Sequence, residues 1–366
     1  MRFSFLRVAA GCRLLACAAF LCEAAIRSCL AASDPAVTET GLNLADAIQQ
    51  QIRTVFEKAR DAVVHIEATD NQGELSGTGF FIEPDGILYT SYTVGGESHG
   101  IVVQRGDLRY PATRLIADAR AGIAILKVDA STPFLTLGAS RGLGVGAPVM
   151  TVGYPMDLPL TPSFGIVGGF DRKYLGRYFA MTHIRANVPV QRGEGGAPLL
   201  NLNGEVVGIL ISSLDQGSAL FSLPIEAAEK VRRDYVRFGA LRPGWIGVDV
   251  GATAPSAAAS TALIRNVFEK TPGAEAGLLP GDVLLQVGGI KISVAEDVLD
   301  ASYFLTAQDE VKVRVQRGDE EMTFEVTPAE PPNGSSGLKT GGLPALGSTG
   351  DLKGVPTSPH PLEIGP

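Results

Sequence analysis

Hydrolysis by a side chain needs a nucleophilic hydroxyl or thiol, a base within reach and a group that orients the base. This chain has few residues for that work. Its glycine-rich stretch Arg192-Gly193-Glu194-Gly195-Gly196-Ala197-Pro198 is a loop with no nucleophile in it, because a glycine has no atom that can attack a carbonyl. Only four histidines occur: His65, His99, His183 and His360. His65 and His183 lie in strand-like runs and read as packed or edge side chains. His99, in Gly95-Gly-Glu-Ser-His-Gly100, reads as part of a loop, and His360 falls in a Pro- and Gly-rich tail. Thr93 has a hydroxyl and Glu194 a carboxylate, but neither has a partner at a recognisable spacing, and Glu194 reads as a solvated loop side chain. Ser91, Ser212 and Ser213 also lack an acid or histidine partner. No close histidine pair, CxxC or HExxH occurs beyond residue 32, so no metal or cofactor is expected.

Three segments nevertheless resemble the HtrA family of trypsin-like serine proteases, the DegP, DegQ and DegS group. The family's nucleophile loop runs Arg-Gly-Asn-Ser-Gly-Gly-Pro-Leu. Laid on it without a gap, Gly195 stands where the serine belongs, Glu194 replaces the asparagine and Ala197 replaces the second glycine after the serine. That alanine is expected to shift the loop, since glycine often marks a φ other residues avoid. The family's base lies in Leu-Thr-Asn-Asn-His-Val-Val, soon after a Ser-Gly-Ser-Gly-Phe strand. Here Ser76-Gly-Thr-Gly-Phe80 is followed by Leu88-Tyr-Thr-Ser-Tyr-Thr-Val94, which puts Thr93 on the histidine. In Asp118-Ala-Arg-Ala-Gly-Ile-Ala-Ile-Leu-Lys127, Gly122 falls on the aspartate of Asp-Pro-Arg-Thr-Asp-Leu-Ala-Val-Leu-Lys. The resemblance thus implies a protease shell without nucleophile, base or orienting acid. Gly193, Glu194 and Gly195 become a vestigial oxyanion loop, and a carboxylate at 194 opposes the charge such a loop stabilises.

The elements that would hold these positions are short. From Ala62 to about residue 222, β-branched runs alternate with Gly, Pro and Asp turns, as in 100–104, 123–128, 148–152 and 205–211. That pattern predicts an antiparallel barrel or sandwich rather than βαβ units. The resemblance sharpens it to a mainly β fold, a chymotrypsin-like double β-barrel over 42–240. An amphipathic helix over 42–60 precedes it, with Leu44, Ile48, Ile52, Val55 and Phe56 at helical spacing. A second helix follows over 224–238, with Gly239 just past its end.

Residues 244–328 resemble a PDZ domain. Gly244-Trp245-Ile246-Gly247-Val248 is similar to the carboxylate-binding loop of HtrA PDZ domains, and 274–289 matches their Ala-Gly-Leu-x-x-Gly-Asp-Val-Ile segment. Backbone amides beside glycine bind a chain-terminal carboxylate, and a free strand edge adds the peptide as an extra strand. Residues 294–303 are expected to form the helix lining that groove.

The first 32 residues carry Arg2, Arg7 and Arg13, a short apolar core and small residues near 24–32, the layout of a secretory signal peptide. A lipoprotein reading of Leu14-Leu-Ala-Cys17 is weaker, because Arg13 interrupts the apolar stretch. All four cysteines lie in this segment, so the exported chain has no thiol chemistry and no disulfide. Removing it takes away four arginines and one glutamate, moving the net charge from −8 to −11. That argues against nucleic acid or anionic membrane surfaces as partners, and no apolar run is long enough for a membrane span. Residues 330–366 are rich in Pro, Gly, Ser and Thr and are expected to be disordered.

The function expected is a periplasmic or envelope pseudoprotease that binds protein C-termini or extended hydrophobic peptides, as adaptor, chaperone or regulator. The resemblance also implies a trimer, or assembly with active HtrA subunits. The short 67–75 connection argues against larger cages. The alternative is an active endopeptidase with a relocated site.

Overall fold

The computed structural model describes residues 35–174, 177–214, 217–253 and 260–332. The expected signal peptide, its cysteines, His360 and nearly all of the expected tail lie outside them. Contacts divide the chain into two units, Met1–Arg53 and Thr54–Pro366. Helix α1 (Pro35–Ala59) begins earlier than its apolar periodicity predicts. Val55 and Ala59 at its end are buried, whereas Ile48 is 45% exposed.

The first barrel closes from β1 (Val63–Thr69), β2 (Glu74–Phe81), β3 (Ile87–Ser91), β4 (His99–Arg105), β5 (Leu108–Asp118) and β6 (Ile123–Val128). Their order is β1-β2-β3-β6-β5-β4, with β4 returning to β1. Inward residues such as Val64, Ile66, Phe81, Leu88, Val103 and Leu126 fill it, which is what a period-2 pattern with one buried face produces. A one-turn helix, α2 (Tyr92–Gly95), follows β3 directly.

The second barrel comprises β7 (Pro148–Gly153), β8 (Thr161–Tyr174), β9 (Arg177–Asn187), β10 (Pro198–Leu200), β11 (Val206–Leu214) and β12 (Ala219–Pro224). It closes in the order β10-β11-β12-β9-β8-β7. The two barrels and the few helices give the mainly β, chymotrypsin-like architecture expected. Helix α3 (Ile225–Phe238) starts after Pro224 and stops at Gly239, whose φ of 68° is the left-handed cap glycine supplies most cheaply.

The last domain is a sheet of β13 (Val248–Ala252), β14 (Ala262–Val267), β15 (Val283–Val287), β17 (Val311–Arg317) and β18 (Glu320–Val326), with β16 (Ile290–Lys291) pairing β15. Helices α4 (Pro272–Glu275) and α5 (Asp297–Phe304) complete it. Strand β13 is at the sheet's edge. On its other side α5 is fastened to the second barrel: Asp300 accepts from the Thr182 amide and hydroxyl, and Arg172 pairs with Asp297. Asp234 of α3, buried with Lys230, also accepts from the Arg242 amide and the Thr306 hydroxyl.

Candidate functional site

The three positions aligned with a catalytic triad meet at one junction between the barrels. Thr93 is exposed on α2, and its hydroxyl lies 2.9 Å from Ser91 Oγ. The next residue back, Tyr92, donates its amide to Gly122 O at 2.7 Å. Gly195 O accepts from the Thr78 amide at 2.9 Å, on the strand that also packs against Val94. Thr93 and Gly193 line one cleft of about 830 Å³, with Ser76, Met156, Asp157 and Arg192 on its rim.

The loop from Gln191 to Ala197 is held almost entirely by backbone. Glu194 N donates to Gln191 O (3.3 Å), Ala197 N to Glu194 O (2.9 Å) and Gly196 N to Leu210 O (2.7 Å). Gly193 O accepts from Thr78 Oγ1 at 2.8 Å. The amides of Gly193 and Gly195 have no acceptor among the described residues, although both glycines are buried. Unpaired buried amides are uncommon, and of these two glycines Gly193 lines the cleft. Glu194's own amide is already used within the loop.

Two glycines of the loop are dictated by geometry. Gly193 and Gly196 have φ of 88° and 92°, and a Cβ on Gly196 would lie 2.2 Å from Thr78 O. Gly195 is not among the left-handed glycines, so nothing in its φ demands glycine. Ala197 corrects an expectation: it also has no positive φ, and its methyl is buried in the barrel core, so it does not force the loop to shift.

Glu194 is a larger correction. It is 1% exposed, not solvated. Its Oε2 accepts from the Gln191 amide at 2.5 Å, and Oε1 has no partner among the described residues. A Cβ on Gly153 would lie 3.1 Å from Glu194 Cγ and 3.3 Å from Oε1, so the carboxyl is turned into the protein. Burial pushes it up to about 7, with the Gln191 amide pulling the other way.

The structure also assembles a cluster that sequence spacing did not reveal. His65 Nε2 lies 3.0 Å from Ser76 Oγ and 3.1 Å from Asp157 Oδ1, and Ser76 donates its hydroxyl to the same carboxylate. Glu67 Oε1 is 3.8 Å from Nδ1. His65 is therefore not merely a packed strand residue. The Ser76 bond, then that from His65, hold Asp157 below the usual carboxylate range. Asp157 follows Met156 in a turn where both have positive φ, 50° and 60°, pinned by Met156 N donating to Arg192 O at 2.6 Å. Such strained residues persist only where their surroundings over-determine them.

The remaining histidines behave more simply. His183 is buried in the second barrel, where loss of water drives it down to about 4. His99 opens β4 on the surface and is not a loop residue. Among the described residues no group of three or more His, Cys, Asp or Glu is placed to hold a metal.

The second site lies between edge strand β13 and α5. Ile246, Val248, Leu284 and Val287 form its floor, and Val298, Ala301 and Leu305 form its far wall. At its closed end the carbonyls of Ile246 and Gly247 turn away from the groove and accept from Gly273 N (2.7 Å) and Phe268 N (2.9 Å). The Ile246 and Gly247 amides then have no acceptor among the described residues. Gly247 has φ 79°, and any Cβ there would collide with Thr271 at 2.3 Å. Trp245 also lines the groove and exchanges two backbone bonds with Ala329, while Gly244 packs against Leu305. Paired free amides, an apolar slot and an open strand edge are the parts a chain-terminal carboxylate needs. No described helix is long and apolar enough to cross a membrane.

Comparison with known proteins agrees with both halves. The family described as "Trypsin-like peptidase domain" matches residues 77–209, and "PDZ domain" matches 244–327. Serine protease HTRA1 of Xenopus tropicalis is 31% identical over 310 residues, covering 76% of this chain and 67% of that protein. The protein named "Probable periplasmic serine endoprotease DegP-like" of Pseudomonas putida (strain W619) is 29% identical, covering 81% and 65%. The chain thus spans about two thirds of the length of these relatives. A solved structure, "HtrA-type protease AlgW with tripeptide", superposes with a TM-score of 0.64 at 23% identity, covering 77% of this chain and 99% of that one. With its two barrels and PDZ domain, and with this degree of likeness, the chain belongs to the HtrA family of trypsin-like serine proteases.

Proposed function

We propose that this protein is an exported, non-catalytic HtrA member that recognises polypeptide C-termini through its PDZ groove and acts as adaptor, chaperone or regulator in envelope protein quality control. One observation carries the reading. The PDZ groove keeps free amides at Ile246 and Gly247 among the described residues, and the alignment with the family's motifs supports the non-catalytic half by putting Thr93, Gly122 and Gly195 on the base, acid and nucleophile. Backbone donors alone leave roughly 10³–10⁴-fold acceleration over water, negligible for peptide hydrolysis. The solved HtrA-type relatives hold a tripeptide or a decapeptide, and the periplasmic naming of relatives supports export. The leader over 1–32 and assembly as a trimer, alone or with active HtrA subunits, belong to the same reading.

The test is calorimetry on the mature chain with hydrophobic C-terminal peptides. Binding is expected with a free terminal carboxylate and lost on amidation of that terminus or in Gly247→Ala. Equal binding of acid and amide forms sinks the proposal.

The Ser76–His65–Asp157 cluster favours a second reading, an active endopeptidase with a relocated site. It ranks lower because of proton polarity. In a working triad the serine donates to a free imidazole nitrogen, whereas Ser76 donates to Asp157 and the same Nε2 faces both. Covalent labelling of Ser76 by a fluorophosphonate, with casein degradation that Ser76→Ala abolishes, would establish it.

A further inference from the structure

Glu194 follows two residues that line the cleft, Arg192 and Gly193, and neither reading uses its buried carboxyl. Its carboxyl is wedged between three segments: its own loop, Thr78 of β2 and Gly153 at the end of β7. Thr78 is shared by all three. Its hydroxyl donates to Gly193 O and accepts from Tyr154 N at 3.1 Å. The segments 191–197 and 153–157 are therefore tied through Thr78 as well as through the Met156 N–Arg192 O bond, and the Glu194 carboxyl lies beside the Thr78 tie.

Among the described residues no charged side chain bonds that carboxyl. β2 presents Thr78, β7 presents Gly153, and its own loop presents only the Gln191 amide. The neighbouring charged side chains, Arg192 and Asp157, line the cleft instead. A neutral carboxyl with one hydrogen bond can remain in such a place. A carboxylate there would be short of donors, a costly arrangement, and the solvent-open cleft begins at Gly193. The following turn is already strained at Met156 and Asp157, so it has conformational energy to release when the tie loosens.

We propose that Glu194 gates the cleft: protonated, it seals segment 191–197 against Thr78 and Gly153; ionised, it draws in water and frees that wall. Desolvation places its titration at about 7 rather than at the ordinary 4.5, so the gate works near neutrality. The inference is independent of peptide binding by the PDZ groove.

The experiment is hydrogen exchange by mass spectrometry on the mature chain at pH 6 and pH 8.5, corrected for intrinsic exchange. In the wild type, opening of 191–197 and 153–158 is expected to rise about tenfold for each pH unit above the titration, while β15 and β17 stay unchanged. Glu194→Gln should keep both segments protected at both values. A wild type with pH-independent protection, or a glutamine variant responding like the wild type, overturns the proposal. Carboxyl-carbon NMR on the unmutated protein gives an independent reading, and a Glu194 signal titrating near 4.5 also overturns it.

Discussion

Asp300 on α5 accepts two hydrogen bonds from one residue of the second barrel, Thr182, through its amide at 2.5 Å and its hydroxyl at 2.7 Å. The helix that walls the peptide groove is thereby fixed to the protease-like half, helped by Arg172 and Asp297. Hydrogen bonds to a charged acceptor contribute about 1.5–3 kcal/mol each way they are removed. Asp300→Ala is therefore expected to lower stability by about 2–3 kcal/mol. In denaturant the PDZ domain should unfold ahead of the barrels. A single transition with an unchanged midpoint would show that this contact does not couple the domains.

Glu194 predicts a pH dependence of stability with a definite sign. Its folded value, about 7, exceeds its ordinary 4.5, so the folded state holds the proton longer than the unfolded chain does. Its contribution is complete below 4.5 and is lost as pH rises through about 7. The span corresponds to a change on the order of 3 kcal/mol. Denaturation midpoints measured from pH 4.5 to 8 should give a flatter profile in Glu194→Gln than in the wild type at the alkaline end.

His183 predicts the opposite slope. Its folded value of about 4 lies below the ordinary 6.5, so protons favour the unfolded chain as pH falls from 6.5 towards 4. Its Nδ1 donates to Met181 O at 2.8 Å, while Nε2 is buried without a partner among the described residues. The two groups oppose each other between about 4.5 and 6.5. The wild type should be nearly flat there, and His183→Leu should unmask a stability that declines with rising pH. A parallel profile in the leucine variant would mean that His183 is solvated in the native state.

Gly196 and Gly195 are adjacent but should respond differently to alanine. A Cβ at 196 meets Thr78 O at 2.2 Å and inherits a φ of 92°, so Gly196→Ala is expected to cost on the order of 3 kcal/mol. Gly195→Ala has no such φ and should shift the melting temperature less. Equal melting shifts in the two variants would contradict the loop geometry.

These loops also mark where sequence reasoning was sufficient and where it stopped. Strands such as 123–128 were legible because β-branched runs end at Gly and Asp turns, and the PDZ groove was legible because its glycines and apolar positions fall within a few residues of each other. Glu194 was misread because its burial is made by Gly153 and Thr78, distant in sequence, and nothing in a glycine-rich loop announces a lid above it. Ser76, His65 and Asp157 were missed for the same reason: 11 and 92 residues separate His65 from its two partners, and only barrel closure brings them together. Helix α1 was recognised by periodicity, but Ile48 shows that an apolar stripe does not by itself specify what covers it.

Thr93→His, Gly122→Asp and Gly195→Ser together would restore the side chains of the family's chemistry. The backbone accepts two of the changes without φ strain and places the strain at Gly122. Gly195 carries no left-handed φ; Gly122 has φ 76°, which aspartate tolerates better than most residues; and a Cβ at Gly122 meets nothing nearer than Ile211 at 3.5 Å. Thr93 gives up one hydroxyl contact to Ser91. The triple variant is expected to fold with a modest loss of stability and to cleave casein more than about 10³-fold faster than its parent, while Gly195→Ser alone stays inert because triad members act as a unit. Activity should be higher at pH 8 than at pH 6, both because the new histidine must be neutral and because Glu194 then frees the wall beside the new serine. If the triple variant folds yet remains inert even when Glu194→Gln is added, the loops themselves no longer hold the geometry that those side chains need.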